Sequence, residues 1–335
     1  MGLHSVVTDG HIYACRNWVG LTFIMHNYTT RLVSFSVELN RYEVEQPPYG
    51  TVNVYRVGET LLDTGHMAST ETLADLIDLE SVSQVVLTHA HPDHAGGSLS
   101  TPELASRPHT VFEGNERIMR EYDTYLQAVH EELFRVGTAI DRAAIDAVAE
   151  IHFPRGDYCC EKLDIERVVT DGEELEIGGH RCEVIHTPGH NHEHMALYHE
   201  KSEILFSADL VSPNGYFLYG PLTADIGAYE RSLRRIQAYD PARLAPGHGP
   251  LIENPQRRID DALAKSSQAR NAIRQMVTSA RGRVTAQQVA REVFDATATN
   301  VGFLVFVAWA YLRHLESDGH LQLRVTDEGV CASAE

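Results

Sequence analysis

The chain has 335 residues, 43% of them apolar and 22% charged, with a formal net charge of −19. That supports a sizeable core and exceeds one average domain, so a large domain plus a smaller one is expected. The acidic surplus disfavours broad binding to nucleic acid, and no apolar run approaches the ~20 residues that span a bilayer.

The five cysteines (Cys15, Cys159, Cys160, Cys182, Cys331) have no spacing that suits a disulfide framework or a zinc finger. The N-terminus lacks the basic-then-apolar pattern of a secretory leader, so a cytoplasmic protein with no membrane partner is expected. Residues 1–35 show no clear periodicity and are taken as an N-terminal extension without assigned order. Alternation begins at Val33, Phe35, Val37 and Leu39 and predicts a first strand.

Strands are then predicted over Asn53 to Val57 and Leu61 to Asp63, a helix over Ser69 to Leu79, and a buried strand over Gln84 to Thr88. Asn115 to Glu150 has helical periodicity and interrupts the alternation. Strands resume at Ile165 to Val169, Glu174 to Ile177, Arg181 to Ile185, Met195 to Tyr198 and Glu203 to Ser207. A helix over Ile226 to Tyr239 and a short strand over Arg243 to Ala245 follow. The stretches Val169 to Ile185 and Leu197 to Phe206 look like antiparallel hairpins, so two sheets packed face to face with helices outside fit better than one parallel sheet.

These elements make residues 36–258 one α/β domain. Residues 259–335 contain three predicted helices (Arg257 to Ala280, Thr285 to Phe294, Val301 to Leu315) and a strand pair around Leu321 to Val330, a winged-helix-like pattern. Residues 281–335 hold five Arg against seven Asp or Glu. That is a poor footprint for DNA, so a packing or substrate-covering role is expected instead.

The densest chemistry lies at Thr88-His89-Ala90-His91-Pro92-Asp93-His94-Ala95-Gly96-Gly97. Four ligand-type side chains directly follow a buried strand, which holds their origin rigid while the loop turns them toward one point. Imidazole and carboxylate without thiolate suit a borderline divalent ion. Three later strand ends each add one more such residue among small neighbours: His190 in Thr187-Pro188-Gly189-His190, Asp209 in Ser207-Ala208-Asp209, and His248 in Pro246-Gly247-His248-Gly249. Seven ligands exceed the needs of one tetrahedral ion and suit two ions sharing a carboxylate.

From about Phe35 to Glu253 the chain resembles the metallo-β-lactamase superfamily, whose H-x-H-x-D-H motif, later His, bridging Asp and final His all occur here in order. The resemblance implies an αββα four-layer sandwich. It implies that His89, His91 and His190 bind one metal, that Asp93, His94 and His248 bind a second, and that Asp209 bridges them. Asp63 would orient ligands from behind. Within the superfamily the chain is similar to glyoxalase-II-like hydrolases and to mitochondrial β-lactamase-like endoribonucleases, which carry a winged-helix-like C-terminal domain. It departs from them in the run Asn191-His192-Glu193-His194 and in having Ala208 before Asp209.

Two divalent ions are therefore expected, zinc first, with iron or manganese as alternatives. A metal-bridging hydroxide would attack a small-molecule acyl substrate (thioester, ester or lactone), with Asp93 orienting it and carrying its proton. A phosphodiesterase or endoribonuclease is the second reading, weakened by the charge and by only 38 residues between Asp209 and His248. An iron persulfide dioxygenase is third, and the intact second ligand set argues against it. Tyr216 or Tyr219 is a candidate oxyanion donor. His192 and His194 lie near the site without an expected ligand role, and His109, His130, His152 and His180 are expected in core or surface roles. A homodimer is an open option.

Overall fold

The structure, a computed structural model, describes residues 12–14, 24–30, 39–46, 50–67, 70–137, 142–156, 158, 160–212, 217, 219–280, 283–297, 300–326 and 329–334. Eight strands pair in chain order in a large sheet: β1 (Ile12–Ala14), β2 (Ile24–Thr30), β3 (Leu39–Gln46), β4 (Gly50–Val57), β5 (Thr60–Leu62), β6 (Gln84–Leu87), β7 (His109–Phe112) and β8 (Ile165–Val169). Pairing is antiparallel up to β5 and parallel from β5 to β8. A second sheet holds β9 (Glu174–Ile177), β10 (His180–His186), β11 (Met195–His199), β12 (Ile204–Ala208) and β13 (Arg243–Pro246), in the order β13-β12-β11-β10-β9.

Alternation along each strand separates two cores. Leu62, Val86 and Phe112 of the large sheet meet Val184, Leu197 and Phe206 of the small one between the sheets. Their neighbours Leu61, Val85 and Val111, and Ile185, Ala196 and Leu205, face outward into a second cluster shared with the helices. α1 (Thr70–Leu76), α2 (Pro92–Ser100) and α4 (Asn115–Arg120) lie against the large sheet. α3 (Pro102–Ala105), α5 (Tyr122–Val136) and α6 (Arg142–His152) continue that layer. α7 (Ile226–Gln237) covers the small sheet, where its Ser232 hydroxyl donates to Pro188 O at 2.7 Å. The result is a four-layer helix–sheet–sheet–helix sandwich.

α8 (Pro255–Ser279) starts before residue 259, so a boundary there cuts its first turn. Beyond it, β14 (Val284–Thr285), α9 (Ala286–Val293), α10 (Val301–Ser317), β15 (Gln322–Thr326) and β16 (Gly329–Ser333) follow, with β16 between the other two strands. Thr285 and Gln288 form a reciprocal capping box that starts α9. Val289, Val305, Phe306 and Leu312 join the same apolar cluster as Leu61 and Val85, so this C-terminal part is packed into the sandwich. Among the described residues no helix is long and apolar enough to cross a membrane.

The structure differs from the sequence reading at one hairpin and one added strand. The predicted Val33-to-Leu39 alternation falls mostly outside the described residues, and Leu39 opens β3; within residues 1–35, two segments run as the edge strand β1 and its neighbour β2. Val169 to Ile185 is not one hairpin: β8 pairs with β7 in the large sheet, and only β9 and β10 form the hairpin in the small one. The Thr170-to-Glu173 turn, pinned by Thr170 N–H to Glu173 Oε1 at 2.9 Å, carries the chain between sheets. Its Asp171-Gly172 signal reads the same for either route. β7 was not expected, because its four residues are all buried and show no alternation.

Candidate metal centre

Ligand-type residues sit where strands end. His89 and His91 follow β6, and Asp93 and His94 occupy the first turn of α2, whose first helical residue is Pro92. His190 follows β10, Asp209 follows β12, and His248 follows β13. All seven residues expected from the sequence come together in two groups. One is His89, His91 and His190; the other is Asp93, His94, Asp209 and His248, and within each group the candidate ligand atoms lie within 4.8 Å of one another. His91 Nδ1 and His190 Nε2 face each other at 2.7 Å. In the second group, His248 Nε2 is 3.3 Å from Asp93 Oδ2 and 3.4 Å from Asp209 Oδ1, and His94 Nε2 is 3.2 Å from Asp209 Oδ1.

The backbone is shaped to allow this crowding. Ala208 has φ 39°, a left-handed conformation costly for a residue with a Cβ, directly before Asp209 and beside a shift in strand register. Gly247 donates its N–H to Ala208 O at 2.8 Å. A Cβ on Gly247 would collide with Asp209 Oδ1 and lie 2.7 Å from His94 Cε1, so only glycine fits.

A layer of hydrogen bonds behind these candidate ligands sets their orientation. Asp63, itself at φ 60°, accepts the Thr88 N–H at Oδ1 (2.8 Å) and pairs with His94 Nδ1 through Oδ2 (2.8 Å). The Thr88 hydroxyl also lies 3.1 Å from His89 Nδ1. His248 Nδ1 donates to Thr51 O at 2.6 Å. With their Nδ1 atoms engaged, these rings present Nε2 to the centre. The His248 turn is held in turn by β4: Asn53 Nδ2 donates to Pro246 O (2.8 Å) and Gly249 O (2.7 Å), and Tyr55 OH donates to Pro246 O (2.7 Å).

His194 proves more important than its sequence suggested. It is fully buried, and its Nε2 accepts the backbone N–H of Asp209 at 3.2 Å. That leaves the ring proton on Nδ1, which donates to Thr187 Oγ1 at 2.7 Å. It therefore braces the Asp209 backbone. Its closeness to His190 in the chain was the only signal, and it pointed equally to a bystander. Tyr219 is corrected: its hydroxyl donates to Glu132 Oε1 at 3.0 Å, which removes it as an oxyanion donor, while Tyr216 lies outside the described residues.

Charge divides the two groups. Burial, reinforced by neighbouring histidines, pushes His89 and His91 well below the usual imidazole range. Burial opposes charge on His248 too, but Asp209 and Asp93 outweigh it and raise it to about 10. His94 is raised in the same way by Asp209, Asp93 and Asp63. Conversely, these histidines hold the half-buried Asp93 and the buried Asp209 below the ordinary carboxylate range.

His89 Nε2 is buried with no hydrogen-bond partner among the described residues, and His94 Nε2 and Asp209 Oδ1, an ion pair 3.2 Å apart, are buried without a well-formed hydrogen bond. A buried polar atom without a hydrogen bond costs about 1–3 kcal/mol, and these lie in both groups, His89 in one and His94 with Asp209 in the other, where a bound cation would satisfy them. Imidazole and carboxylate donors suit a divalent metal. Cys182 is remote from this chemistry: it packs between the sheets, and burial lifts its thiol to about 12.

Residues 48–248 match the family model of the metallo-beta-lactamase superfamily. The chain belongs to that superfamily. Among relatives of this member, the Bacillus subtilis (strain 168) protein named "Probable metallo-hydrolase YqjP" is 29% identical over 304 residues, covering 84% of this chain and 90% of that one. A Paecilomyces divaricatus protein named "Atrochrysone carboxyl ACP thioesterase AgnL7" is 27% identical over 170 residues, 48% of this chain and 52% of that protein. The crystal structure of the metallo-beta-lactamase family protein TTHA1429 from Thermus thermophilus superposes with a TM-score of 0.70 at 24% identity, covering 89% of this chain and 98% of that one. This superfamily member is thus an enzyme of the metallo-hydrolase kind.

Proposed function

We propose that the protein is a dinuclear metal-dependent hydrolase of small acyl substrates: thioesters, esters or lactones. The observation that carries this reading is the placement of Asp209. Its Oδ2 lies 3.6 Å from His190 Nε2, while its Oδ1 lies 3.2 Å and 3.4 Å from the Nε2 atoms of His94 and His248. One carboxylate thus reaches both groups. His89, His91 and His190 would hold one ion, Asp93, His94 and His248 the other, and Asp209 would be shared.

Two bound divalent ions, zinc first, would supply Lewis acidity and bring the pKa of a coordinated water toward neutrality. The chain's own residues do the rest. Asp93 is more open than Asp209, with a side-chain exposure of 17% against 4%, so Asp93 Oδ2 is the oxygen placed to take a proton from an attacking water. His94 and His248, fixed through Asp63 and Thr51, hold that carboxylate in place. The net charge of −19 disfavours a polyanionic substrate, and a relative named as a thioesterase supports an acyl one.

The test is turnover of a panel of S-acyl thioesters, lactones, phosphodiesters and short RNA by metal-loaded protein. Acyl cleavage is expected, falling about 10²–10⁴-fold in Asp93→Ala, the range for loss of a proton-transfer group. Elemental analysis is expected to give two zinc equivalents per chain. Cleavage of RNA alone, or a single iron per chain, would overturn the proposal.

A further inference from the structure

Glu132 is a buried acidic residue of α5 that no step above uses. Its Oε1 accepts two hydrogen bonds from distant parts of the chain: Tyr219 OH at 3.0 Å and, from α10, Trp309 Nε1 at 3.1 Å. The guanidinium carbons of Arg135 and Arg313 lie 5.2 and 5.5 Å from the Trp309 ring centroid, a cation–π arrangement on both sides of the helix contact. Arg313 reaches further, donating to Leu222 O at 3.3 Å and Ala224 O at 2.6 Å. Helices α5 and α10 therefore grip the 219–225 segment at three points.

The other side of that segment rests on the metal centre. A Cβ on Gly220 would collide with His190 O and lie 3.0 Å from His91 Cε1, so backbone touches ligand loop with no slack. Thr223 Oγ1 accepts the His192 N–H at 3.1 Å, and the Asp225 N–H donates to Gly189 O at 2.9 Å. A close-packed contact transmits displacement, because neither side can move without the other.

We infer that the C-terminal helix α10 is part of the support of the metal centre: Trp309 and Arg313, with Glu132 as pivot, set the 219–225 segment and through it the position of His190. These three are positioning residues, since none reaches a ligand directly. The inference rests on His190 being a metal ligand, as proposed above. It gives the C-terminal part a role that requires no nucleic acid and no second chain.

The test uses the full-length protein with Trp309→Phe, Arg313→Lys, Glu132→Gln and Glu132→Ala. Four readouts are taken: zinc affinity by competition with a chromogenic chelator, the visible spectrum of the cobalt-loaded protein, Tm of the metal-free protein, and kcat against KM. Partners directly behind a ligand cost about 10–100-fold in metal affinity, so one layer further out about 3–10-fold is expected for Trp309→Phe and Arg313→Lys. The cobalt spectrum should shift, and kcat should fall with KM unchanged. Glu132→Gln, which keeps an acceptor oxygen, should retain most of the affinity that Glu132→Ala loses. If Glu132→Ala does not fold, Trp309→Phe and Arg313→Lys carry the test. A lowered Tm with wild-type zinc affinity and cobalt spectrum would overturn the inference and leave α10 a purely structural helix. The metal readouts stand even if no acyl substrate is found, so the two proposals fail separately.

Discussion

His89 and His109 are both fully buried, and burial pushes both toward the neutral form, His109 to about 4. Their partners differ. His109 donates from Nδ1 to Arg107 O at 2.7 Å and accepts at Nε2 from Ser98 Oγ at 2.8 Å, so both ring nitrogens are satisfied between β7 and α2. His89 is engaged only at Nδ1, and among the described residues its Nε2 has no hydrogen-bond partner, while the rings of His91, His94 and His190 stand 4.2–4.9 Å away, centroid to centroid. Residue type and burial are the same in the two regions; what marks the site is an unsatisfied atom facing others like it. His109, satisfied at both nitrogens, is a brace, and His89, whose Nε2 faces the other histidines, is the proposed ligand.

Asp209→Ala should break the site side of this comparison most completely. On the proposed sharing of Asp209 it removes the carboxylate that reaches both groups, so both metal equivalents should be lost and kcat/KM should fall by roughly 10³-fold, beyond the ~10–100-fold typical of a partner behind the ligands. Elemental analysis after gel filtration checks it; two retained equivalents would sink the shared-carboxylate reading. Asp63→Asn should have a smaller effect. The Asn side chain tolerates the φ of 60° but offers one acceptor where the Thr88 N–H and His94 Nδ1 each use an oxygen of Asp63. His94 loses its enforced tautomer, and zinc affinity should drop about 10–100-fold, while the metal-free protein loses about 1–3 kcal/mol for the disturbed buried hydrogen bond. Chelator competition reads this directly, and unchanged affinity would show that Asp63 serves the fold alone.

The comparison also explains what was legible beforehand. The candidate ligands were readable because His89, His91, Asp93 and His94 crowd into six residues and the other three each end a strand between small residues. The two-sheet sandwich was readable from the run of short strands, from the superfamily resemblance and from the hairpin Leu197 to Phe206, which pairs as expected, although Val169 belongs to the other sheet. What escaped depends on pairing across long stretches of chain. Asn53 and Tyr55 read as ordinary strand residues, yet they hold the His248 turn almost 200 positions away. Glu132 reads as one more acid on a helix, and only the fold brings Tyr219 and Trp309 to it. The role of His194 as a brace rather than a ligand depends on a backbone N–H from another strand end.

His109→Gln probes the brace side, and its effect should be the smallest. The folded protein holds His109 near 4, whereas an unfolded histidine titrates near ~6.5. Between those values the unfolded chain binds the extra proton, so stability is intact above about 6.5 and falls as pH drops toward 4. One pH unit corresponds to about 1.4 kcal/mol, so this residue costs wild-type stability about 2 kcal/mol by pH 5. Gln cannot take that proton. At pH 7.5 the variant should be less stable, by about 1–3 kcal/mol for the disturbed Arg107 and Ser98 hydrogen bonds, and the gap should close as pH falls. Urea denaturation of both metal-free proteins at pH 7.5 and 5 gives the difference, in which the other histidines cancel. Metal content at pH 7.5 should stay at the wild-type value, because neither His109 nitrogen faces the centre. A gap that stays constant with pH would mean that His109 is not held neutral in the fold, and lost metal would mean that the brace and the site are not independent.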